Sequence, residues 1–104
     1  MMAVDIGGLD DFVSGEARQV RVEGRVLVVV RIEDDVYVLD DRCSHEDFSL
    51  AEGEVNAATR EIECERHGSM FRLSDGVPTS FPATRPVAHY EVRQSDGRIE
   101  VMVP

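Results

Sequence analysis

The 104 residues suffice for one compact domain and are too few for two, and 42% hydrophobic residues allow a genuine core. A net charge of −10, from 21 acidic against 11 basic residues, argues against nucleic acid and against anionic membranes as partners. The longest apolar run, Val26-Leu27-Val28-Val29-Val30, is far short of the roughly 20 residues a membrane helix requires, and Met1-Met2-Ala3-Val4-Asp5 offers no basic region ahead of a long apolar stretch; both predict a cytoplasmic protein.

In chain order, a single helical turn is expected near residues 8–13. Residues 18–23, Arg-Gln-Val-Arg-Val-Glu, alternate polar and apolar as a half-buried strand does. Gly24 turns the chain into a long strand over 25–33, and Asp34-Asp35 turns it back into 36–39, which delivers it to Cys43. A short strand over 60–63 delivers it to Cys64, and 70–73 leaves that region before the turn Ser74-Asp75-Gly76. Pro78, Pro82 and Pro86 then recur every four residues in a segment stiffened by their fixed φ. The last elements, 87–93 and 98–103, flank Gln94-Ser95-Asp96-Gly97 as a hairpin. There is no internal repeat. Many short strands separated by turn residues predict an all-β domain, a small barrel or sandwich.

The chemistry is concentrated in Cys43-Ser44-His45 and Cys64-Glu65-Arg66-His67, which hold both cysteines of the chain. Each cluster offers one thiolate and one imidazole, a complete four-ligand set for a metal. A disulfide would need an oxidising compartment, and no secretory mark supports one. Zinc is the serious rival, because two cysteines and two histidines are a zinc set; structural zinc sites, however, usually pair cysteine with cysteine and histidine with histidine. Mixed pairs suit two adjacent irons better. The third histidine, His89, lies in an alternating segment and reads as a strand-surface or structural residue. Most acids between Asp40 and Glu65 read as a solvated face. The nearest to the clusters, Asp41, Glu46, Asp47 and Glu65, are candidates for an acidic docking surface, with the apolar Phe48, Met70 and Phe81 as the alternative contact.

The pattern Cys-x-His, a spacer of under twenty residues, then Cys-x-x-His resembles the Rieske family, in which two cysteines hold one iron of a [2Fe–2S] cluster and two histidines the other. The resemblance spans residues 20–103 and looks closest in kind to the small soluble ferredoxins of bacterial ring-hydroxylating dioxygenase systems. It implies a single Rieske domain over 1–104, a β-barrel or sandwich with a cluster-binding subdomain at about 42–86, and a proline loop covering the cluster with Pro82 nearest the metal. Cys43 and Cys64 would hold one iron, and His45 and His67 the other, with the imidazole edges as the electron exit.

High-potential members carry an extra cysteine in each loop, joined in a disulfide, and a serine and a tyrosine that bond cluster sulfurs. The matching positions here hold Phe48 and Arg66, Ser69 keeps the serine, and Phe71 replaces the tyrosine. Fewer hydrogen bonds to sulfur imply a potential near the low end of the Rieske range, about −150 mV. The implied function is one-electron transfer from a flavoprotein reductase to a terminal oxygenase by a monomeric carrier that is not itself an enzyme. Two other roles share this pattern: an accessory Rieske protein of iron–sulfur cluster assembly, and the small subunit of a nitrite reductase, many of which have lost the ligands retained here.

Overall fold

The computed structural model describes residues 2–44, 48–66 and 68–104. Its strands are β1 (Met2–Gly8), β2 (Ala17–Val22), β3 (Arg25–Ile32), β4 (Asp35–Asp40), β5 (Val55–Asn56), β6 (Glu61–Cys64), β7 (Ser69–Arg72), β8 (His89–Tyr90), β9 (Val92–Ser95) and β10 (Arg98–Val103), with 3₁₀ turns at Leu9–Asp11 and Leu50–Glu52. They form three antiparallel sheets in the orders β1-β10-β9, β2-β3-β4-β8 and β5-β6-β7. The all-β expectation holds. No described helix is long and apolar enough to cross a membrane.

The β2-β3-β4-β8 sheet is the middle layer, and the composition of β3 explains why. Successive side chains of a strand point to opposite faces. Val28, Val30 and Ile32 enter one buried cluster together with Leu39, Ile62, Phe71 and both cysteines. Leu27 and Val29 enter a second, with Val38, Ile99, Val101 and Val103. A strand covered on both faces has no polar side, which is why 26–30 reads as an unbroken apolar run. One core therefore joins the middle sheet to β1-β10-β9, and the other joins it to β5-β6-β7, where the cysteines lie.

Three expectations need correcting. The segment read as one strand over 87–93 is two. His89 and Tyr90 pair with Leu39 and Val38, whereas Val92 pairs with Val101, so the chain changes sheet at Glu91. The final hairpin is tighter than the four-residue loop expected, because Ser95 pairs with Arg98 and only Asp96-Gly97 turns. Both of those residues have positive φ, 52° and 75°, as a two-residue hairpin of this twist needs. Finally, β1 was not foreseen; its register, Met2 opposite Val103 through Val4 opposite Val101, is supplied by a partner a whole chain length away. The turn expected near 8–13 is present as Leu9–Asp11.

Candidate metal centre

Two closed loops carry the cysteines, the first following the middle sheet and the second within β5-β6-β7. The first leaves β4 at Asp41 and returns at Leu50. The Leu50 N–H donates to the Asp41 carbonyl at 2.5 Å, and the Cys43 N–H donates to the Phe48 carbonyl at 2.9 Å. The second is the connection between β6 and β7. Cys64 stands opposite Ser69, and the Gly68 N–H donates to the Cys64 carbonyl at 2.9 Å. Gly68 turns that loop at φ 75°, a conformation glycine adopts without a Cβ penalty. His45, Glu46, Asp47 and His67 lie outside the described residues.

Cys43 and Cys64 are 2% and 1% exposed, share one buried cluster, and form no disulfide with each other. On the hairpin that carries Cys64, Ile62, Cys64, Ser69 and Phe71 face inward while Glu61, Glu63 and Met70 are partly exposed. Cross-strand pairing sets Cys64 against Ser69 and Ile62 against Phe71. Ser69 and Phe71, the two positions expected to tune the metal, therefore share the inner face with Cys64. Phe71 is fully buried, and no hydroxyl stands in its place.

The proline segment is fastened to both loops, chiefly by serines. The Met70 N–H donates to Ser80 Oγ at 2.9 Å, the Ala83 N–H donates to Ser69 Oγ at 3.0 Å, and the Ser44 hydroxyl donates to the Arg85 carbonyl. The Thr79 hydroxyl donates to the Glu61 carboxylate; this bond, followed by one from Thr59, holds the Glu61 pKa below its ordinary value. Pro82, expected nearest the metal, is exposed, and the buried contact of the segment is made by its neighbour Ala83. Ser44 and Ser80 were not anticipated, because nothing local marks a serine whose partner lies forty-one or ten residues away.

The docking acids fare unevenly. Asp41 is not on a surface: it is 3% exposed and bonded internally. Glu46 and Asp47 are outside the described residues, and Glu65 is exposed beside exposed Arg66. Arg42 and Arg85 are also exposed in this region, so its described face is mixed in charge. Of the apolar alternatives, Phe81 is 83% exposed, whereas Phe48 packs partly on the core. His89 is exposed on β8, as expected of a strand-surface residue.

Among the described residues no three His, Cys, Asp or Glu side chains gather as a metal set. Two buried free thiols stand on separate loops within one core, and sulfur donors of this kind suit iron–sulfur chemistry.

The family model of the Rieske [2Fe–2S] domain matches residues 3–91. The anthranilate 1,2-dioxygenase ferredoxin subunit of Burkholderia cepacia is 35% identical over 99 residues, covering 94% of this chain and 89% of the relative. Ferredoxin CarAc of Metapseudomonas resinovorans is 37% identical over 92 residues, covering 88% and 84%. Among solved structures, the ferredoxin of carbazole 1,9a-dioxygenase from Nocardioides aromaticivorans IC177 superposes with a TM-score of 0.93 at 34% identity, covering 97% of both chains. A second, from a complex of reduced oxygenase and oxidised ferredoxin in carbazole 1,9a-dioxygenase, gives 0.87 at 34% identity, covering 95% and 91%. Fold, buried thiols and likeness over nearly the whole chain agree: the chain belongs to the Rieske [2Fe–2S] family and is an electron-carrying ferredoxin, not a catalytic subunit.

Proposed function

We propose that Cys43 and Cys64 hold one iron of the [2Fe–2S] cluster and His45 and His67 the other, in a single Rieske domain over 1–104 whose cluster-binding subdomain spans about 42–86. The chain would carry electrons one at a time from a flavoprotein reductase to a terminal oxygenase, as a monomer in the cytoplasm. The observation that carries this reading is the burial of Cys43 and Cys64 in one core on two separately closed loops, each with a histidine two or three residues further along the sequence. When bound, the cluster supplies a one-electron couple.

The residues around it do the rest. The core that both cysteines share excludes water from them. Ser69 and the clasped proline segment fix one side. The histidines, two and three residues beyond the cysteines in sequence, are the assigned exit for the electron. An oxygenase partner is supported by the relatives, which are named as ferredoxin components of dioxygenases, one of them solved in complex with its oxygenase. A carrier also needs a donor, and a flavoprotein reductase supplies single electrons from a two-electron source.

Purified protein should be red-brown, with two irons and two sulfides per chain and, once reduced, an EPR signal of the low average g that nitrogen ligation gives. His45→Ala and Cys64→Ser should each abolish the cluster and destabilise both loops, because metal binding and folding are linked. Colourless protein with a single zinc would overturn the assignment. Addition of a dioxygenase reductase and oxygenase should give reductase-dependent turnover that requires this chain.

A further inference from the structure

Asp41 and Ser69 are the buried polar side chains among the described residues. Ser69 faces Cys64, and Asp41 lies two residues before Cys43. The Asp41 carboxylate accepts from Gln19 Nε2 at 2.7 Å, from the Ser49 hydroxyl at 2.5 Å and from the Ala51 N–H at 2.8 Å. Its own N–H donates to the Val26 carbonyl at 3.1 Å, and its carbonyl accepts from Leu50. One residue thus joins β2, β3 and the returning arm of the first loop. Among the described residues the three donors to the carboxylate are neutral.

Burying a carboxylate is costly, and a neutral side chain could tie the same strands together. What only the carboxylate brings is charge. Two residues span at most about 7 Å between Cα atoms, so the charge stands close to Cys43, and at a site shielded from water it is little screened. Reduction adds one negative charge to the site, which a fixed buried negative charge opposes. We propose that Asp41 is a positioning and tuning residue: its carboxylate locks the base of the first loop and lowers the reduction potential through its charge. This rests on the assignment of Cys43 as a ligand.

Two variants separate charge from geometry. In Asp41→Asn the amide can keep the network, because Gln19 can turn its own amide to accept and the Ser49 hydroxyl can reorient. Its reduction potential, measured by protein-film voltammetry, should rise, favouring the reduced form about tenfold against a fixed donor, or about 59 mV for one electron. Iron, sulfide and the visible spectrum should match the parent. Ser49→Ala removes a hydroxyl dipole that offsets the charge, so its potential should fall. A purely structural role would lower the melting temperature of both variants without opposite shifts in potential. An Asp41→Asn potential equal to or below the parent's overturns the proposal. If that variant does not fold, an unchanged or raised potential in Ser49→Ala does so. Parent protein lacking two irons and two sulfides would instead overturn the ligand assignment.

Discussion

Ser69→Ala tests the inner face of the cluster hairpin with two readouts that a single cause cannot move together. Ser69 Oγ accepts from the Ala83 N–H at 3.0 Å, with both residues buried. A hydroxyl has one proton to give and two lone pairs, so this bond leaves its proton available for the inward side, where Cys64 is the cross-strand neighbour. Truncation strands the buried Ala83 N–H, at a cost of about 1–3 kcal/mol. For a domain of this size that is a fall in melting temperature of about 5–14 °C. If the proton is given to a cluster or cysteine sulfur, its loss also removes a hydrogen bond to a charged acceptor, about 1.5–3 kcal/mol, which lowers a one-electron potential by at most about 65–130 mV. Ser80→Ala is the control. It also unclasps the proline segment, by removing the acceptor of the Met70 N–H, but Met70 alternates away from the buried face of Ser69 and Phe71. Calorimetry should show both variants melting early, and voltammetry should show only Ser69→Ala lowered in potential. Equal potentials for the two variants would refute the bond to sulfur and leave Ser69 as a loop fastener.

Phe71→Tyr should raise the potential within the same bound, because Phe71 shares the inner face with Cys64 and Ser69; voltammetry of the variant reads it, and an unchanged potential with a lowered melting temperature would mean that the hydroxyl misses sulfur. Gly53→Ala should be severely destabilising, since its Cβ would lie 1.6 Å from the Glu63 carbonyl oxygen, next to Cys64; the cost should reach about 3 kcal/mol or more, and iron content after purification should drop with the melting temperature. The Arg72 guanidinium, followed by the Val77 N–H, holds the Asp75 pKa below its ordinary 3.8, so its contribution to stability is fully present above pH 3.8 and is lost as pH falls through the lower folded-state value. Asp75→Asn should therefore flatten the acid limb of the stability–pH curve below about pH 4 and leave its neutral limb parallel to the parent's, as read by denaturant titration at a series of pH values.

The sequence by itself determined the features whose cause is local. Alternation and turn residues placed β2, β3, β4, β6, β7 and β10 to within a residue or two, because a strand's periodicity and a turn's φ requirements are written in adjacent side chains. The candidate ligand motifs were legible for the same reason: each sets a cysteine and a histidine within two or three residues of each other. Tertiary structure alone decided what depends on distant partners. The edge strand β1 and the division of 87–93 between two sheets exist only because neighbours far along the chain supply hydrogen bonds. Asp41 reads as one more acid in an acidic stretch until Gln19, Ser49 and Ala51 close around it. At Gly53 only the fold shows that Glu63 passes within contact of the missing side chain. Burial and close approach are properties of pairs of segments, and a single segment carries no record of what packs against it.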